Sequence, residues 1–284
     1  MQTLVAVAFA VAAAFCNAAA NVSQRKASRR EPPQLSLSPR LFVGLVHQPL
    51  WLAGMTASTL SFLLLAVALS FGALAVVQPI VVVELPLTLW GAALFLGGRL
   101  GRREWVPTVA MTAGLVALLI CLDPRGGKPQ VPASGWMLPG GVTLLLIVAL
   151  TLAGRFRHEA LRAALMGAGT GMAFGLSAAL MKATTGSFAA GGIIGALEAW
   201  QTYGAVVFGI AGTWLYQAAV HAGPLVASQP GITLLDPLVA ILLGWLVFGE
   251  QFRGGGFIVG AVAGGIAMSL GVIALGWSPL LHSD

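Results

Sequence analysis

Nine apolar runs, joined by short polar links, take up most of the chain. They lie at roughly 2–20, 46–69, 72–97, 104–122, 137–153, 162–181, 193–220, 224–249 and 254–276. About 20 apolar residues cross a bilayer's hydrocarbon core as a helix. In lipid the backbone must satisfy its own polar groups, so each run is predicted to be helical. Composition excludes the alternatives. Charged residues make up 8% of the 284, against about 25% in an average soluble domain, too few to clothe a globule in water. Hydrophobic residues are 58%, which excludes a disordered chain. The expected fold class is an all-α polytopic membrane protein with about nine transmembrane helices and the lipid bilayer as its first partner. No link has room for a soluble domain.

The basic residues report orientation. With the N-terminus outside and nine crossings, 11 of the 15 Lys and Arg fall in inner links, from Arg25 to Arg162, and four in outer ones: Arg125, Lys128, Lys182 and Arg253. The positive-inside rule then predicts an outside N-terminus and an inside C-terminus, in a multi-pass protein of the cell (plasma) membrane. The net charge of +6 is absorbed by topology, so no nucleic-acid partner is expected. Ala18-Ala19-Ala20 looks like a signal-cleavage site, but the basic cluster follows the first run instead of preceding it, so that run is expected to be retained.

An internal repeat appears at an offset of 151. Residues 72–120 laid on 223–271 without a gap share 11 identities in 49, among them Gly72/Gly223, Gln78/Gln229, Pro79/Pro230, Pro86/Pro237 and Arg102/Arg253. Spans 1–4 (residues 1–122) then correspond to spans 6–9 (162–284), with span 5 and its loops (123–161) between. A shift of five spans reverses direction, so two inverted-topology repeats are predicted, the usual construction of secondary transporters.

The segments PLWLAGM (49–55), AVALSFGALAVVQPI (66–80), GRLGRREW (98–105), LYQAAVHAGPLVASQP (215–230) and LVFGEQFRGGGFIVG (246–260) resemble the drug/metabolite transporter (EamA-like) superfamily. The likeness spans nearly the whole chain and is nearest to the NIPA-type magnesium transporter branch. The resemblance implies a secondary carrier of a small metabolite or cation. The chain differs from that branch in having no acid or Asn over 54–69, and in placing Arg99 where the branch has an acidic loop residue that survives in the second half as Glu250.

Two acids lie deep in the spans, Glu84 and Asp236, one position apart at the repeat offset and each just before a proline. A charge at mid-bilayer costs about 3 kcal/mol or more and normally faces a cavity or a partner. The pair is therefore predicted to bind a cation, a cationic substrate or a coupling proton; the alternative is a protonated pair bonded to neighbouring helices. Pro79, Pro86, Pro230 and Pro237 remove helix hydrogen bonds, and either kink the spans or free carbonyls beside the acids. Gln78 and Gln229 bridge helices or line the same cavity. Tyr216 and Gln217 belong to a polar and aromatic face that lines the substrate path or sits at the interface. Asn17 and Asn21 share one helix face, with packing the favoured role, and Lys182 is expected to snorkel to the membrane surface. Gly167, Gly171 and Gly175, and Gly256, Gly260 and Gly264, form small faces that serve packing within the bundle or a homodimer.

No metal-ligand spacing, cofactor motif or nucleophile–base set is visible, so neither metal, cofactor nor enzymatic activity is expected. The leading expectation is transport by alternating access. A divalent-cation (magnesium) carrier or channel and a non-transporting membrane scaffold are the alternatives.

Overall fold

The computed structural model describes residues 2–28, 48–96, 102–128, 130–222 and 225–276. They form ten helices and one minimal ribbon: α1 (Gln2–Ser28), α2 (Pro49–Phe71), α3 (Leu74–Val81), α4 (Glu84–Leu96), α5 (Arg102–Leu122), β1 (Arg125–Gly126), α6 (Ala133–Arg155), α7 (Glu159–Glu198), α8 (Trp200–Ala222), α9 (Leu225–Leu246), β2 (Glu250–Gln251) and α10 (Phe257–Gly276). Seven of these helices are long and apolar enough to cross a membrane: α1, α2, α5, α6, α7, α9 and α10. The chain is an all-α polytopic membrane protein.

The run expected to cross once over 72–97 is instead two helices. Prolines explain the break. Pro86 has no N–H for the carbonyl of Val82, which accepts from Leu85 N at 3.1 Å; Val82 and Val83 donate three residues back, to Pro79 and Ile80. The tightened turn ends α3 and restarts the chain as α4 at Glu84. In the second half, α9 stays helical through Pro230 and Pro237.

A second departure lies in α7, where the run expected over 162–181 extends to Glu198. It is interrupted at Gly191 and Gly192, and Gly192 has φ +61°, a left-handed conformation that glycine adopts at little cost. The following span begins at Trp200 rather than at residue 193.

α7 is the buried axis of the bundle. Nearly every residue from Met166 to Ala183 is buried, and α6, α8 and α9 pack around it. Small residues make this possible. A Cβ on Gly175 would lie 2.7 Å from the carbonyl oxygen of Asp236, so α7 and α9 touch backbone to backbone. α5 and α10 pair the same way: a Cβ on Gly264 would lie 2.6 Å from the Leu118 nitrogen. The glycine faces at 167–175 and 260–264 are thus used inside the chain, whereas Gly256 meets nothing within 4 Å. α1 lies along α2 and α4. The outer surface is apolar, with Leu138, Leu145 and Leu152 of α6 and Val259, Val262, Ile266 and Leu270 of α10 exposed, as a lipid-facing surface requires.

β1 and β2 are antiparallel, with Arg125 opposite Gln251 and Gly126 opposite Glu250. The ribbon ties the link after α5 to the link after α9 and marks one end of the bundle.

Candidate functional site

Glu84 opens α4, where the turn at Val82–Val83 presents it to α1. Asn17 Nδ2 donates to Oε2 at 2.6 Å and Asn21 Nδ2 to Oε1 at 2.6 Å. The two asparagines are one helical turn apart, so they meet one carboxyl group side by side. The sequence favours packing for them; their place is on the acid. A carboxylate in the first turn of a helix also faces the positive end of its dipole.

Asp236 sits midway along α9. It lies within electrostatic range of Glu84, and its Oδ1 is buried with no hydrogen-bond partner. Pro237, next in sequence, offers no N–H to the preceding turn. The two predicted acids come from opposite halves of the chain and lie within electrostatic range of each other. One is held by two carboxamides and the other keeps an unspent acceptor. The hydroxyl of Thr88, one turn beyond Glu84, is also buried without a partner.

The other predicted residues fall elsewhere. Gln78 is buried in α3, amid an apolar cluster that includes Val77 and Ile80. Gln229 is half-buried on α9. Tyr216 and Gln217 are on the exposed side of α8, as are Tyr203 and Trp214. Pro79 and Pro86 bracket the α3–α4 break, and Pro230 and Pro237 lie inside α9.

A second polar centre escaped sequence reasoning. Lys182 does not snorkel outward: its side chain is buried inside the bundle, 5% exposed. Its Nζ donates to Glu250 Oε1 at 2.9 Å and to the Gly72 carbonyl at 2.8 Å. Glu250, 1% exposed, also accepts from Leu74 N at 2.6 Å and Ala75 N at 3.0 Å, so it caps α3. A buried lysine is costly alone, and the matching acid stands 68 positions away, where no local pattern points to it.

At the surface of the same end, Asp123 accepts from Arg125 at 2.6 Å and Arg253 at 3.0 Å. The Arg125 hydrogen bond, with the charges of both arginines, holds its carboxyl below the usual carboxylate range. Among the described residues no three His, Cys, Asp or Glu side chains gather as a metal site would need.

Membrane-length apolar helices around a buried polar centre define a multi-pass membrane protein. The chain is 34% identical over 252 residues to the uncharacterized protein Cgl0250/cg0304 of Corynebacterium glutamicum, covering 89% of this chain and 87% of that one. It belongs to the family of that protein. No family model matches the chain. No solved structure matches it.

Proposed function

We propose that the chain is a secondary transporter of a small cation or cationic metabolite, of the drug/metabolite type. It works by alternating access between two inverted repeats, residues 1–122 and 162–284, in nine crossings with the N-terminus outside. On this reading α3 and α4 together make one crossing, and α8 makes another. The observation that carries the reading is that the two acids deep in the spans, Glu84 and Asp236, come one from each half and lie within electrostatic range of each other. The groups bonded to Glu84 are the neutral carboxamides of Asn17 and Asn21. A negative centre of this kind attracts a positive ligand or a proton.

The test is uptake into proteoliposomes under an imposed pH gradient. Asp236→Asn and Glu84→Gln are expected to abolish coupled flux while the protein still inserts. Flux equal to the parent chain in Asp236→Asn overturns the role given to that residue.

One observation favours a divalent cation, the alternative implied by the NIPA resemblance. Glu84 and Asp236 place two carboxyl groups within electrostatic range of each other, and oxygen donors suit magnesium. A magnesium-dependent rise in melting temperature that Glu84→Gln removes is expected on this alternative. Its absence leaves the monovalent or organic-cation reading.

A further inference from the structure

Three stretches remote in sequence meet at the ribbon end. They are the α2–α3 junction at Gly72–Ala75, Lys182 on α7, and Glu250 at the start of β2. One carboxylate holds the Lys182 ammonium and the first two amides of α3 together, and the ammonium also takes the Gly72 carbonyl. Gly244 leaves the room, since a Cβ there would lie 2.5 Å from Glu250 Oε2.

Phe248 covers this cluster, its ring centroid 5.3 Å from Lys182 Nζ. Trp136 stands edge-on to Phe248 at 5.7 Å and to Trp200 at 5.8 Å, and its buried indole N–H has no acceptor. Phe248 also lines an open pocket of about 490 Å³ with Lys128, Gln130 and Gln251. Phe248 is thus shared by the pocket and the ion-pair cluster. Glu84 lies ten residues along from Leu74, and Asp236 ten before Leu246. At the helical rise, that sets the carboxyl site roughly 15 Å deeper along both α3–α4 and α9.

We infer that Lys182 and Glu250 form the latch of a gate at the ribbon end, and that a ligand passes between the pocket and the carboxyl site only when the latch opens. The inference rests on the transporter reading above. Chemistry favours a latch over a permanent rivet. An apolar pair would hold buried ends as well or better, whereas two charges are readily rehydrated once water enters from the pocket. α3 is eight residues long and ends in the Val82–Val83 turn, so it can move as a unit with its cap released. At the repeat offset, the position matching Glu250 is Arg99, which has no acceptor to offer. The latch chemistry therefore belongs to one end.

The experiment reads access to the carboxyl site directly. In a background of Cys16→Ala and Cys121→Ala, Thr88→Cys is labelled in proteoliposomes with a membrane-impermeant methanethiosulfonate reagent added to either side. Lys182→Met with Glu250→Gln leaves no stranded charge, and is expected to speed labelling from the ribbon side about tenfold by shifting population to the open form. Glu250→Gln alone, which keeps an acceptor for the α3 amides, is the second arm and is expected to move the same way. Unchanged ribbon-side labelling in correctly folded variants overturns the latch, and uptake persisting in them leaves the transporter reading intact. Accelerated labelling in the variants, together with a parent chain that moves no cation, supports the latch and overturns that reading instead.

Discussion

Asn17 reaches across 67 positions of sequence to put its Nδ2 2.6 Å from Glu84 Oε2. Asn21 repeats the contact one turn later on the other oxygen, so both oxygens of the acid are fixed by a single face of α1. Asn17→Ala is expected to destabilise the protein by about 1–3 kcal/mol, the cost of leaving a buried polar partner unsatisfied. Asn17→Asp is expected to do more harm, because it replaces a donor to Glu84 with a second acid. Thermal unfolding in detergent, compared with Asn21→Ala, checks both.

Breaking the Lys182–Glu250 pair on one side leaves a buried charge. Lys182→Ala and Glu250→Ala are each expected to cost about 3–5 kcal/mol, whereas Lys182→Met with Glu250→Gln costs less than either. A double-mutant cycle on the midpoint of denaturant unfolding measures the coupling. Additive losses would mean that the two side chains do not act as a pair.

The backbone contact of α7 with α9 leaves no room for a side chain. Gly175→Val is expected to destabilise by about 1–3 kcal/mol through overpacking, since its Cβ would sit 2.7 Å from the Asp236 carbonyl oxygen and 2.9 Å from Val239 Cβ. Gly256→Ala, with nothing within 4 Å, is expected to be near neutral. Expression level and melting temperature distinguish the two.

Asp123 gives a pH signature at the ribbon end. Its carboxyl titrates below the usual range because Arg125, and then Arg253, favour the ionised form. A group whose pKa falls on folding stabilises the fold above its unfolded pKa, and that contribution fades as pH drops through the folded value. The carboxyl carbon resonance of Asp123 is expected to titrate below that of a free Asp, and to move toward it in Arg125→Ala and in high salt. An unshifted midpoint in the parent chain contradicts the geometry.

Membrane insertion was legible in the sequence because hydropathy acts along each helix, and a helix shows its own hydropathy. Glu84 and Asp236 stood out for the same reason: a mid-span acid is rare enough to see without knowing its neighbours. What stayed hidden was pairing between helices. The spacing of Asn17 and Asn21 shows that they share a face, but the partner of that face is on α4. A lone lysine near a span end usually snorkels, so the sequence points Lys182 to the surface; the acid that holds it inside is set by how α7, α3 and β2 come together. The break at Val82–Val83 had a local signal in Pro79 and Pro86, masked by the apolar residues that fill the turn. The bend at Gly192 had only a glycine pair among many glycines.

The three parts of the latch are made at very different times. On the ribosome Gly72 comes first, Lys182 follows more than a hundred residues later, and Glu250 comes last of the three. Until that acid is synthesised, the nascent protein carries a cationic side chain in an apolar helix with only the Gly72 carbonyl to receive it. A product that stops short of residue 250 lacks the acid that pairs with Lys182 in the completed fold.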